Sequence, residues 1–118
     1  MITESMEHPP RLILGTVQLG MPYGIANAAG RPSDAETRRI LETALANGIR
    51  YFDTAQAYGE SEQVLGTTLS DLHALDDVFI TSKLRATLDP ENPGQIAQVI
   101  DESLLRLRLD SLWCMLLH

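Results

Sequence analysis

Ile49-Arg50-Tyr51-Phe52-Asp53 is a short apolar run that closes on a carboxylate, and two later runs end in the same manner. Val78-Phe79-Ile80-Thr81-Ser82-Lys83 closes on an amine, and Leu112-Trp113-Cys114-Met115-Leu116-Leu117-His118 closes on an imidazole. Short runs rich in Ile, Val, Phe and Tyr read as strands. If the three are parallel, Asp53, Lys83 and His118 crowd one rim of a sheet. Tyr58 lies beside them in the loop Thr54-Ala55-Gln56-Ala57-Tyr58-Gly59.

Outward from these runs, strand and helix patterns alternate, which argues for an α/β fold with a parallel sheet. Leu12-Ile13-Leu14-Gly15 reads as a first buried strand, and residues 16–30 as a long Gly-rich loop. Ser33-Asp34-Ala35-Glu36 is a capping box, in which the Ser33 hydroxyl accepts from the backbone of Glu36 and the Glu36 carboxylate reaches back. Ile40, Leu41, Ala44 and Leu45 follow at helical spacing, and Gly48 stops that helix. A second helix is predicted over residues 61–72 and a third over 95–107. The third carries the apolar stripe Ile96, Val99, Ile100, Leu104 and Leu107, which suits one helix face packed on a sheet.

The strands start near residues 12, 49, 78 and 111, a spacing of about 30 residues that suits strand–helix units. Two architectures compete: an open doubly wound sheet and half of an eight-stranded barrel. Uniform unit length favours the barrel, as do polar residues at successive strand ends, the rim where barrel enzymes build their sites. A complete barrel takes about 250 residues, roughly twice this chain. The expected fold is therefore α/β: the first four strand–helix units of a (β/α)8 TIM barrel, truncated after the fourth strand. Residues 1–11 are expected to form a flexible leader, and residues 12–118 the half-barrel.

Composition narrows the function. The chain has 118 residues, 44% hydrophobic and 21% charged, which is globular and fits one small domain. Its net charge of -7 argues against nucleic acid or an anionic membrane as partner. Cys114 is the one cysteine, so no internal disulfide can form, and it reads as a small hydrophobe. Residues 1–10 lack the regions of a signal peptide, and no apolar run reaches ~18 residues, so the expected location is the cytoplasm. His8 and His73 have no Cys or Glu partner at metal spacing, so no metal is expected. Gly20 and Gly24 fit no phosphate loop and read as turn formers, while Glu60 and Glu62 read as first-turn helix residues favoured by the dipole.

Lys83 is the only lysine among nine basic residues. Taken singly, Asp53, Tyr58, Lys83 and His118 each have ordinary explanations. Together they make a proton-donating site. Asp53 would neutralise and orient Lys83, and the ammonium would stabilise a Tyr58 phenolate, making the phenol a usable general acid. His118 could donate to a substrate oxygen and polarise it. Such a site suits delivery of a proton to a carbonyl oxygen.

On these residues the chain resembles the aldo-keto reductase family. The matching segments are Gly48-Ile49-Arg50-Tyr51-Phe52-Asp53-Thr54-Ala55 with Tyr58-Gly59, then Ile80-Thr81-Ser82-Lys83, then the strand ending in His118. Leu14-Gly15-Thr16-Val17-Gln18-Leu19-Gly20 is similar to the family's opening. The resemblance implies a barrel that binds NADPH, less often NADH, in an extended pose without a Rossmann domain. It implies Tyr58 as proton donor, Lys83 and Asp53 as its tuning pair, and His118 as the residue orienting the carbonyl. Thr16 and Asp53 resemble positions that approach the nicotinamide end of the cofactor. The stretch before Leu12 departs from members that begin with a β-hairpin across the barrel floor. In the family, later strands supply the nicotinamide-stacking residue, its amide contacts and the basic loop for the cofactor phosphates.

The expectation is therefore an NAD(P)H-dependent oxidoreductase reducing aldehydes or ketones to alcohols, with this chain alone inactive. Its partners would be a small carbonyl substrate and either a complementary C-terminal half-barrel or a second copy. The alternatives are a nicotinamide-sensing or partner-binding barrel module without catalysis, and an open four-stranded α/β domain of unrelated role.

Overall fold

The protein is described by a computed structural model covering residues 11–118. All but Arg11 of the expected leader lies outside the described residues. Four strands, β1 (Ile13–Gly15), β2 (Tyr51–Asp53), β3 (Phe79–Leu84) and β4 (Cys114–Leu117), alternate with the helices α1 (Val17–Gly20), α2 (Asp34–Ala46), α3 (Ser61–Asp71) and α4 (Pro93–Leu107). The sheet is parallel throughout, in the order β1-β2-β3-β4.

That order separates the two architectures. A doubly wound sheet reverses direction part-way and carries helices on both faces. Here each strand lies beside its predecessor, and α2, α3 and α4 pack on one face of the sheet. The core confirms it: Leu41 and Ala44 of α2, Leu65 and Leu69 of α3 and Leu107 of α4 join Phe52 of β2 and Ile80 of β3 in one buried cluster. Leu41, Leu65, Leu69 and Phe52 are fully buried, each stabilising by about 1.5–3 kcal/mol. The four strands and their helices match the N-terminal part of a (β/α)8 barrel.

Local chemistry sets the helix ends. The capping box forms as the sequence predicts: Glu36 N donates to Ser33 Oγ at 3.2 Å, and Ser33 N donates to Glu36 Oε2 at 3.1 Å. Asn92 caps α4 by accepting from Gln95 N at 3.0 Å, and Pro93 fills the first helical position, where no amide donor is needed. Gly66 permits a close helix approach. A side chain there would meet the Arg106 carbonyl oxygen at 2.6 Å, so α3 and α4 touch backbone to backbone.

Three expectations are corrected. β1 is not a buried strand: Leu12 is 66% and Ile13 50% exposed, because β1 pairs only with β2 and Ile13 faces the side of the sheet without helices. The α2 stripe is rotated, with Thr37, Leu41 and Ala44 buried and Ile40 left 42% exposed. Residues 16–30 are not all loop, since α1 packs Leu19 and Gly20 inward against α3.

Candidate active site

Strand alternation decides which side chains meet. In β3, Ile80, Ser82 and Leu84 are buried on the helix side, so Phe79, Thr81 and Lys83 take the other face. Register aligns Asp53 with Thr81, Thr81 with Cys114 and Lys83 with Leu116, so Asp53, Lys83, Cys114 and Leu116 share that face. Asp53 ends β2 and Lys83 lies one residue before the end of β3, which sets both at the C-terminal rim.

At that rim Lys83 Nζ donates to both carboxylate oxygens of Asp53, each at 2.8 Å, and to the Thr54 carbonyl oxygen at 3.0 Å. The Lys83 side chain is 15% exposed and that of Asp53 31%. Screening of the pair by water is therefore reduced, and its geometry is held by three acceptors. The Tyr58 hydroxyl lies 3.3 Å from Lys83 Nζ, and the ammonium is 4.8 Å from the Tyr58 ring centre. The His118 ring stands edge-on to Tyr58, centres 5.6 Å apart at 90°. Asp53, Tyr58, Lys83 and His118 thus form one group, drawn from two strands and two strand-end segments.

The Tyr58 loop is held from several sides. Gln56 N donates to the Lys83 carbonyl oxygen at 3.1 Å, and Thr54 N to that of Thr81 at 2.8 Å, extending the β2–β3 ladder past Asp53. Gly20 is not simply a turn former. A Cβ on it would sit 2.0 Å from the Tyr58 carbonyl oxygen and 2.2 Å from Ser61 N, so its role is close approach of α1 to the tyrosine loop. Thr16 stands next to Asp53, but its hydroxyl is buried, donating to the Asp53 carbonyl oxygen at 2.8 Å and bonding Ser61 Oγ at 2.8 Å.

Glu62 is the residue the sequence undervalues. It lies in the first turn of α3 as expected, yet it is 2% exposed. Its carboxylate accepts from Ser82 Oγ at 2.6 Å, Ser103 Oγ at 2.8 Å and Arg106 Nε at 2.7 Å. A signal existed: Ser82 occupies a helix-facing strand position between Ile80 and Leu84, where a hydroxyl requires a partner. Among the described residues, no group of three or more His, Cys, Asp or Glu side chains could hold a metal ion, and no helix is long and apolar enough to cross a membrane.

Comparison with known proteins decides the family. The model of the aldo/keto reductase family matches residues 11–118. This chain belongs to the aldo/keto reductase family. Among curated relatives, the NAD(P)H-dependent 6'-deoxychalcone synthase of Glycine max is 35% identical over 87% of the chain and 34% of its own length. The NADPH-dependent codeinone reductase 1-1 of Papaver somniferum is 33% identical over 85% of the chain and 31% of its own length. A Bombyx mori aldo-keto reductase solved in complex with NADP superposes with a TM-score of 0.71 at 29% identity, covering 93% of this chain and 34% of that one. The chain spans about a third of the length of these aldo/keto reductase relatives.

Proposed function

We propose that the chain supplies the proton-donating wall of an NAD(P)H-dependent carbonyl reductase, acting on aldehydes or ketones together with a complementary C-terminal half-barrel. The observation that carries this reading is the position of the Lys83 ammonium, 3.3 Å from the Tyr58 hydroxyl while bound by both oxygens of Asp53. As a carbonyl carbon is reduced, its oxygen gains negative charge and needs a proton. Tyr58 donates that proton, and the ammonium of Lys83 stabilises the phenolate left behind. Asp53 keeps the ammonium in place, and His118, edge-on to the phenol, orients the carbonyl oxygen.

A nicotinamide dinucleotide, when bound, supplies the hydride. The chain's residues fit such a group. The face beside Asp53 opens into a cavity of about 420 Å³ lined by Ile13, Gly15, Thr81, Trp113, Cys114 and Leu116. Gly15 presents no side chain there, and a Cβ on it would meet nothing within 4 Å, which leaves room for a flat ring against the sheet. Thr16 and Asp53 are the positions that would lie toward the nicotinamide end, Thr16 as part of the wall, because its hydroxyl, amide and carbonyl oxygen are all bonded within the chain.

The test is complementation. NADPH consumption with a simple aldehyde is expected from the chain combined with the C-terminal half of an aldo-keto reductase relative, and not from the chain alone. Tyr58→Phe should lower kcat in the combination by about 10²–10⁴-fold, the contribution of a general acid, with KM within about twofold. Turnover by the chain alone would overturn the half-barrel reading. NADPH binding without turnover in the combination would favour a sensing module.

A further inference from the structure

Two positions bracket Tyr58 in sequence, Gln56 and Glu62, and two bracket Lys83, Ser82 and Arg85. All four are tied together on the far side of the sheet through one residue of α4. The Ser103 hydroxyl donates to Glu62 Oε1 at 2.8 Å and accepts from Gln56 Nε2 at 2.9 Å. Glu62 Oε1 also accepts from Ser82 Oγ at 2.6 Å, and Gln56 Oε1 accepts from Arg85 N at 3.0 Å. Gln56 Nε2 further donates to the Val99 carbonyl oxygen at 3.0 Å. Ser82, Ser103 and Glu62 are at most 2% exposed.

Stabilising the core does not account for this arrangement. A buried carboxylate carries a desolvation cost that apolar residues of similar volume avoid, and only full hydrogen bonding offsets it. What the carboxylate adds is direction. It fixes the start of α3, and so the end of the Tyr58 loop, to the strand residue immediately before Lys83. Gln56 fixes the beginning of that loop to the residue two beyond Lys83.

We infer that Glu62 and Ser103 are positioning residues: through Ser82 and Gln56 they set the separation of the Tyr58 hydroxyl and the Lys83 ammonium. The inference rests on the reductase reading of that pair, since a fixed separation matters only where a proton leaves the phenol. A misplacement of about 1 Å can cost a reaction 10²-fold, so small slack in this network reaches the chemistry.

Lys83 being the only lysine, ¹³C-lysine labelling gives one side-chain Cε signal without assignment. Tyr58→Phe defines how that signal moves when the hydroxyl is lost. Ser103→Ala and Glu62→Gln should move it in the same direction, Ser103→Thr should restore it, and kcat of the complemented protein should fall about tenfold in Ser103→Ala at near-constant KM. Leu69→Ala, a core truncation in α3, is the stability control and should leave the signal in place. If Glu62→Gln fails to fold, Ser103→Ala decides; if that also fails, Gln56→Ala breaks the same chain at its half-exposed end. A Lys83 signal no more displaced by the folded network variant than by Leu69→Ala overturns the inference. Because the signal is read without turnover, that result stands apart from failure of the reductase reading, which would show as absent turnover in the complemented wild type.

Discussion

The two faces of the sheet are built from the same strands and behave differently. On the helix side, Phe52 and Ile80 are at most 2% exposed and are packed by Leu41, Leu65, Leu69 and Leu107. On the other side, Ile13 is 50%, Leu116 45% and Trp113 38% exposed, and the rings of Tyr51, Phe79 and Trp113 lean on one another over part of the surface. Stability therefore resides on the first face and chemistry on the second. A charged pair such as Asp53 and Lys83 persists on the open face because the ammonium bonds both carboxylate oxygens and the Thr54 carbonyl while part of the carboxylate stays exposed. On the closed face the charge of Glu62 persists only with Ser82, Ser103 and Arg106 all bonded to it.

The largest effect should come from truncating each face in turn. Phe52→Ala is expected to cost about 3–5 kcal/mol in urea unfolding, the range for a fully buried aromatic. Leu116→Ala, nearly half exposed, should cost under about 1 kcal/mol in the chain alone and more once a complementary half-barrel covers it. Equal losses in the chain alone would erase the distinction between the faces.

A smaller effect tests the junction between them. Gly20→Ala puts a methyl group 2.0 Å from the Tyr58 carbonyl oxygen, so α1 must move away from the tyrosine loop. Overpacking of this kind costs about 1–3 kcal/mol, and thermal unfolding would measure it. The Lys83–Tyr58 contact should loosen as well, and an unchanged Lys83 signal would show that α1 does not help to hold the loop.

Smallest is the helix end. Asn92→Ala removes the cap of α4 and should cost about 1 kcal/mol in urea while leaving the site intact, because Asn92 lies a turn or more before Val99 and Ser103. A loss of turnover in that variant would mean that α4 moves as a unit and carries Ser103 with it.

Legibility followed the range of the interaction. The Ser33–Glu36 capping box involves residues three apart and was readable from residue type and spacing, whereas α4, expected from residue 95, starts at Pro93 with Asn92 as its cap. The apolar runs were readable too, and the alternation within β3 follows from strand geometry once the strand is identified. The exposure of β1 was not, since Ile13 in a run such as Leu12-Ile13-Leu14 looks as apolar as any buried residue. Glu62 was misjudged for the same reason: its partners Ser82, Ser103 and Arg106 lie 20, 41 and 44 residues away, and nothing local reveals them. Gly20 carried the right residue and an incomplete reason, because the backbone it approaches is 38 residues downstream.

By itself the sequence determined the alternation of strands and helices, the capping box of α2, and the three polar residues at successive strand ends with Tyr58 in the loop beside them, all consequences of local sterics, hydrogen bonding and periodicity. Tertiary structure alone decided that the Lys83 ammonium reaches both Asp53 and Tyr58, that Thr16 turns its hydroxyl into the wall, and that Glu62 is buried under the sheet. Those outcomes depend on strand register and on how closely helices approach, which arise from packing distant segments together.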